Sequence, residues 1–584
     1  MTSYRYSKLE DEAKDIRLVN LWPGRRDDNI RLTISHTSLV KPPTQLAQRM
    51  PLQKIRETLP SGWSAYETTE CQYLFQHDET DHTSWAHPLT HIDPSSYELP
   101  PEVESSEFSP NYEALSYTWG TKANSEIAYI ESEDTESSTL QIQENLASAL
   151  RHLRYENKPR TLFVDAICIN QEDIPERNNQ VTRMADIYTL AHRVVVWLGP
   201  TSNNSKLGIS TLEYLGAQVE SMKDNWRCHS PNATHPTWYH PSCRLPYDQE
   251  AWNAIYDLIN RPWFGRLWIV QEIHLANHRA TIQCGYDEIS WPRLRRALIC
   301  VVEKTELPSQ EFSDKAVKLN RLMEYFPESN FDSLIYLSTH QLCVDPRDKV
   351  YGLLGLASPK IAATVRPQYS SPVSTVYRDI FLLLLDQMQR LDSLRYAKWQ
   401  ERLEEQFSSW IPDWSNLEVE STAYGNLPSA ASLSRAHATF VSPNLLQVTG
   451  IFCATVLFVC DPVGQQAAHI SEAIQRWAPN NLQTGSYVTG ESLLDAFAST
   501  LTENELRDRY ATIGSYPTLQ EVKSDIFGDM MKTEDLSNGE TWNRNILRRL
   551  SSRAFITTEE GYFVLGTPST KPGTISRRNN LAES

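Results

Sequence analysis

Glu272 lies in the run RPWFGRLWIVQEIHLA, where helical spacing gives it Trp268, Ile269, Leu275 and Ala276 as neighbours three and four residues away, all apolar. A carboxylate is out of place on such a face. Burial raises its pKa unless a cation or hydrogen-bond donors compensate, and a carboxylate in a cleft can stabilise the oxocarbenium-like transition state of a breaking glycosidic bond. The structural alternative is an ion pair with Arg261, Arg266 or Arg279 that holds the helix against a sheet. The sequence leaves the two open.

Asp165 is the single carboxylate in TLFVDAICIN, near the end of an apolar strand, where open α/β sheets place their binding crevice. It either positions a ligand or caps the amides of an Asn170-Gln171 turn, and the capping role is favoured. Tyr117, Trp119 and Gly120 follow another strand at the same expected edge, so an aromatic side chain there could stack on a ligand ring; packing against the next helix is the more ordinary role. Cys168, with His152 or His192 as base, would make a thiol nucleophile, but a cysteine inside an apolar strand behaves as a small hydrophobe.

Cys228, His229, His235, His240 and Cys243 crowd one stretch, yet their spacing matches no common zinc arrangement, and a surface loop without metal is expected. No GxGxxG, P-loop or GxSxG motif occurs, which argues against a Rossmann dehydrogenase, an NTPase and an α/β-hydrolase.

The elements that must position these residues alternate strand and helix from Tyr112 to Trp291, as in an α/β layer with mostly parallel strands and flanking helices. YEALSYTWG supplies a strand and its turn. ENLASALRHLR puts Leu146, Ala149, Leu150 and Leu153 on one helical face, with Asn145 as candidate N-cap. TLFVDAICIN and RVVVWLG read as strands buried on both faces, joined by a helix over 180–191. An irregular insertion at 200–248 precedes a helix with Trp252, Ile255, Tyr256 and Ile259 on one stripe, stopped by Pro262. PWFGRLWIVQEIHLA then reads as one helix and ATIQCG as a strand.

At 584 residues the chain exceeds the roughly 250 to 300 that one core supports. The expected organisation is an N-terminal lead-in and linker at 1–110, the α/β domain at 111–291, and a C-terminal mixed α+β region at 292–584, mostly helical with late strands. The linker is the proline- and serine-rich LPPEVESSEFSPNY. With 55 Lys+Arg against 73 Asp+Glu, a net charge of -18 disfavours nucleic-acid partners. The opening MTSYRYSKLEDEAKDIRLV has no apolar core of a signal peptide, and the apolar run ending at Leu385 falls far short of the roughly 20 residues a spanning helix needs. Nine irregularly spaced cysteines fit reduced thiols in a cytoplasmic setting.

Four blocks carry a family resemblance: YEALSYTWG at 112–120, TLFVDAICINQEDIPERNNQVTRMADIYTLAHRVVVWLG at 161–199, RPWFGRLWIVQEIHLA at 261–276, and WIPDW at 410–414. In order and spacing they resemble fungal heterokaryon incompatibility (HET) domain proteins. The first three define the domain, and WIPDW resembles a segment common downstream. IRLVNLWPGRRDDNIRLTISH near the start resembles the lead-in of that family, and RDKVYGLLGLAS at 347–358 a downstream element. The end departs from the pattern, since ISRRNNLAES offers no apolar strand after GYFVLGTPSTKPG.

The resemblance implies an intracellular protein that triggers programmed cell death on detecting non-self, through an incompatibility partner or sensor and self-association; charge and hydropathy add the expectation of no nucleic-acid partner and no membrane. It also implies a TIR-like fold for the HET domain, an analogy that carries an expectation of NAD cleavage and no more. In NAD-cleaving TIR domains a glutamate follows the third strand within a pattern resembling Trp-Cys-x-x-Glu-Leu. Trp268-Ile269-Val270-Gln271-Glu272-Ile273 is similar in placement, with a longer insertion before it and no cysteine after the tryptophan. The resemblance thus implies Glu272 as catalytic residue and NAD as substrate, while Tyr117, Trp119, Gly120 and Asp165 are the substrate-binding candidates by their place at the expected strand edge, where an aromatic could stack on a nicotinamide or adenine ring. A non-enzymatic signalling or interaction module is the alternative expectation.

Overall fold

The computed structural model describes the chain apart from residues 1, 13, 41–48, 100–109, 121–123, 133–136, 224–225, 305, 324–329, 398–407, 416–434, 443, 463–466, 505, 510–516, 529–549, 551–552, 567, 569, 579 and 582–584. Most of the expected linker LPPEVESSEFSPNY lies outside the described residues. Two compact units divide the chain, Met1–Val376 and Tyr377–Ser584. Among the described residues no helix is long and apolar enough to cross a membrane.

The first unit begins with a hairpin of β1 (Asp15–Leu21) and β2 (Ile30–Ser38). A short helix, α1 (Leu52–Glu57), packs on a small sheet of β3 (Trp63–Glu67), β4 (Tyr73–His77) and β5 (Thr83–Ser84). Then come β6 (Glu113–Tyr117), β7 (Ser125–Ile130), β8 (Ser138–Gln143), α2 (Glu144–Leu153) and β9 (Arg160–Phe163). After these follow α3 (Asp165–Cys168), α4 (Ile174–Leu190), β10 (Arg193–Trp197) and α5 (Ser205–Gly216). The hairpin β11 (Val219–Ser221) and β12 (Arg227–His229), then α6 (Gln249–Ile259), lead to α7 (Ile269–His274), β13 (Thr281–Cys284), β14 (Asp287–Ser290) and α8 (Trp291–Val301).

Nine strands form one mixed sheet in the order β14-β13-β10-β6-β9-β1-β2-β7-β8. Its centre, β13-β10-β6-β9, is parallel, with Val195 opposite Leu115 and Glu113 opposite Leu162. Antiparallel pairing takes over at β14 and from β9 to β1 and β2, while β2 and β7 pair in parallel. The parallel strands are the ones whose sequences run apolar on both faces: β10 is buried from Val194 to Trp197 and β6 from Ala114 to Tyr117. Tyr112 and Tyr188 pin α4 to β6, the first donating to Ile187 O at 2.6 Å and the second to Leu115 O at 3.2 Å.

The α/β architecture is as expected, and several local expectations are corrected. Residues 15–38 lie inside the expected lead-in, yet they enter the sheet itself. TLFVDAICIN is a short strand that ends at Phe163 and turns into α3, so Asp165 and Cys168 sit on a helical turn rather than in a strand. The insertion at 200–248 is not irregular throughout, since it folds α5 and the β11–β12 hairpin. Asn145 does not cap α2; the cap position is Gln143, without a side-chain bond, while Asn145 donates to Thr118 O at 2.6 Å and accepts from Trp197 Nε1 at 3.1 Å.

PWFGRLWIVQEIHLA is broken as well: a 3-10 turn over Pro262–Gly265 is followed by extended Arg266, and only then does α7 start. The break comes from tertiary pairing, because Leu267 N donates to Leu342 O at 2.9 Å and thereby leaves the helical register.

Past α8, the first unit continues with α9 (Gln310–Met323), α10 (Phe331–Leu337), α11 (Asp348–Tyr351) and α12 (Pro359–Thr364), so the compact units divide well beyond residue 291. The division falls within α13 (Val373–Met388). In the second unit, Trp414 of WIPDW is fully buried, 5.0 Å from the Tyr377 ring. A separate core there gathers Trp477, Phe497 and Phe555. Near its end, Ile575–Arg578 pairs with Ile451–Val459 although ISRR is polar, because an antiparallel ladder needs only backbone partners.

Candidate functional site

The parallel strands β6, β9 and β10 end at one edge of the sheet, where Tyr117 stands beside Trp197 in register. Chain segments leaving that edge gather Ser116, Tyr117, Trp119, Asp165, Trp263, Arg266 and Glu272 into one polar cluster. Arg266 is its hub. Its guanidinium donates to the carbonyl of Tyr117 and lies 3.8 Å from Glu272 Oε2, with its side chain 18% exposed against 2% for Glu272. Extended backbone at Arg266 lets the side chain point back along β6.

Glu272 accepts a short hydrogen bond from the Ser116 hydroxyl, and Ser116 in turn accepts from Trp263 Nε1 at 2.8 Å. Indole, hydroxyl and carboxylate thus form a directed chain that fixes one carboxylate oxygen. Burial pushes the Glu272 carboxyl up to about 7, against the opposing pull of the Arg266 charge and the Ser116 bond; Asp165 adds to the rise. Burial by itself would lower the Arg266 guanidinium, but Glu272 and Asp165 outweigh it and keep it protonated.

Asp165 begins α3 directly beyond β9. Its Oδ2 accepts from Trp119 Nε1 at 2.9 Å and its Oδ1 from Ala166 N at 2.7 Å. Desolvation raises this carboxyl, with Arg266 and the Trp119 bond working the other way. The favoured capping of an Asn170-Gln171 turn is not what its carboxylate does; Gln171 instead donates its side-chain amide to the Asp165 carbonyl at 3.1 Å. Tyr117 is buried, and its phenol is held well above its usual pKa by burial and by the neighbouring Asp165. It packs within the cluster, whereas Trp119 is 36% exposed with one ring edge committed to Asp165.

Gly120 adopts a φ of +83°, a conformation that a side chain would strain. Four of the five expected site residues are therefore brought together around Arg266, and Gly120 follows Trp119 in the chain.

Ser116 and Trp263 were not singled out in the sequence. The signal for Ser116 was there: a lone hydroxyl in the buried strand EALSY needs a partner. Arg261, another candidate partner for Glu272, instead donates to Ser202 Oγ at 2.7 Å and to Leu198 O at 3.3 Å.

The cysteine and histidine stretch disperses. Cys228 is buried, with its thiol pushed up to about 12 by desolvation; His229 meets Asp81 O at 2.7 Å; His235 meets Tyr214. Among the described residues no group of three or more such side chains could hold a metal ion. Cys168 is buried on α3 and its thiol is also raised to about 12 by burial, which removes it as a nucleophile. His152 packs its ring at a tilt against Trp197 and Tyr286, each ring centroid 4.8 Å away, and has no part in the cluster.

A parallel-centred sheet with a polar cluster at its carboxyl edge is an α/β layer whose cluster lies where such sheets place their crevice. Residues 112–272, from the residue before β6 to the cluster's glutamate, match the family model for Heterokaryon incompatibility protein (HET). Over these residues the chain carries a region that matches a HET domain, and it is similar to proteins of the heterokaryon incompatibility type. It is 29% identical over 425 residues to "Heterokaryon incompatibility protein 6, OR allele" of Neurospora crassa, covering 61% of this chain and 61% of that one. The chain thus matches that curated relative over less than two thirds of its length. No solved structure matches.

Proposed function

We propose that the protein acts in non-self recognition and programmed cell death in a fungus, with the HET domain signalling through protein contacts. The observation that supports this over a resting enzyme is the closure of Glu272. Its carboxylate is engaged by Ser116, faced by Arg266 and almost wholly buried, so in this conformation it is committed to partners inside the domain. An incompatibility partner or sensor in the cytoplasm, and self-association, are the contacts this reading requires.

NAD cleavage by a TIR-like HET domain is the second reading, and one feature favours it. A carboxyl raised to about 7 beside Arg266 and Asp165, at the carboxyl edge of parallel strands, is suited to holding or releasing a proton near neutrality. In that reading NAD is substrate, Glu272 would have to reach the ribose side of the nicotinamide bond, and Trp119 would face a ring.

The deciding experiment pairs nicotinamide release by the concentrated full chain with growth arrest on expression in a fungal host, for the native protein and for Glu272→Gln. Arrest without NAD loss supports signalling by contact. NAD loss abolished by Glu272→Gln replaces it with the enzymatic reading, and absence of both arrest and NAD loss from the native protein overturns both.

A further inference from the structure

Helix α7 has only six residues, Ile269–His274, too few to hold its place by its own hydrogen bonds. What fixes it comes from downstream. Trp268 Nε1 donates to Asp348 Oδ2 at 3.1 Å, and Tyr369 donates its phenol to the other oxygen at 2.6 Å, so the buried Asp348 carboxylate uses both oxygens to tie two distant segments together. Tyr369 is itself anchored to α4, with its amide donating to Asn178 Oδ1 at 3.2 Å and the Arg177 guanidinium 3.9 Å from its ring centre.

Two further ties bracket the glutamate. Leu267 N donates to Leu342 O at 2.9 Å just after Arg266, and Gly355 N donates to Gln271 Oε1 at 3.0 Å just before Glu272. Gly355 must be a glycine for this approach, since a Cβ there would lie 2.7 Å from Ala185 Cβ on α4 and 2.8 Å from Gln271 Cδ. Arg266 and Glu272 are thus each flanked by a residue gripped from the 342–371 segment.

We infer that residues 342–371, which lie beyond the 112–272 match, are a brace that positions α7 and so sets Glu272 against Ser116 and Arg266, with Asp348 as its central positioning residue. An effect of the brace on growth arrest rests on the death-signalling function proposed above; its effect on α7 does not. The brace explains why a short helix can carry a buried carboxylate in a fixed orientation, and why the strand-like pairing at Arg266 interrupts a segment that would otherwise run on as helix. Asp348 acts through Trp268 and touches none of the cluster groups directly.

The test is hydrogen exchange on the full chain with Asp348→Asn, which offers one carbonyl oxygen to two donors, and with Tyr369→Phe, a milder variant that removes one donor only. Amide exchange over 263–275 should quicken by about tenfold in Asp348→Asn, with β10 unchanged, because a local tie has been lost. Growth arrest should fall in the same variant at matched protein level. Unchanged exchange over α7, or equal quickening across the whole sheet, would overturn the brace. Should Asp348→Asn not fold, Tyr369→Phe decides in its place: selective quickening over 263–275 supports the brace, and unchanged exchange there overturns it. Selective quickening beside a native protein that causes no arrest leaves the brace standing and removes the death-signalling reading.

Discussion

Arg17 and Glu176 meet as a two-point ion pair, Nη1 to Oε1 at 2.6 Å and Nη2 to Oε2 at 2.9 Å, with the arginine fully buried. The pair fastens β1 to the start of α4. Arg17 also donates to Cys168 O at 3.1 Å, and Glu176 accepts from Asn170 N at 2.7 Å, so the same contact shapes the turn that carries Asp165.

Removing one partner of such a pair strands the other charge without water. Arg17→Ala is expected to cost about 3–5 kcal/mol, while replacing both residues by methionine recovers most of that loss. Urea unfolding of the full chain checks it. A small, equal effect of the single and double changes would show that the pair adds no coupling.

Ser116→Ala leaves the Glu272 carboxylate without its donor and the Trp263 indole without its acceptor, at an expected cost of about 1–3 kcal/mol. The cost should be larger at pH 8 than at pH 5, because a protonated carboxyl depends less on the lost hydroxyl. Urea midpoints at the two pH values measure this, and equal losses at both would mean that the hydroxyl does not hold the charge.

Three buried carboxyls in the first unit each contribute a pH dependence of definite sign. Burial raises Glu272 and Glu220 from 4.5 to about 7, and Asp348 from 3.8 to about 6. A folded-state pKa above the unfolded value means the folded chain binds more protons in between. Their contribution is therefore fully present below about pH 4 and lost as pH rises through 6 to 7. Glu272→Gln and Glu220→Gln should each flatten the fall in unfolding free energy across that window, measured by urea titration at fixed pH steps.

Thiol reactivity should divide the cysteines by burial. Cys168, Cys228 and Cys300 are buried with thiols raised to about 12, so they should resist maleimide in the native chain. Cys71, Cys243 and Cys453 are partly exposed and should label first. Mass spectrometry of timed samples reads the order, and early labelling of Cys168 would contradict its burial on α3.

What the sequence determined by itself was the class of architecture and the edge at which the polar groups lie. Runs such as RVVVW and EALSY are apolar on both faces, and only a sheet covered on both sides buries them, so their parallel pairing was legible from local pattern. The apolar surroundings of Glu272 were legible for the same reason, since its near neighbours on a helix are fixed by spacing.

Tertiary structure decided the rest. The break at Arg266 exists because Leu342, far along the chain, pairs with that stretch, and no local propensity encodes a partner at that distance. β1 pairs with β9 through its backbone, and Arg17 on it finds Glu176 159 positions along the chain. Glu272 finds its hydroxyl donor 156 positions away. A sequence fixes which groups need partners; only the fold, by closing those distances, fixes which partner each one finds.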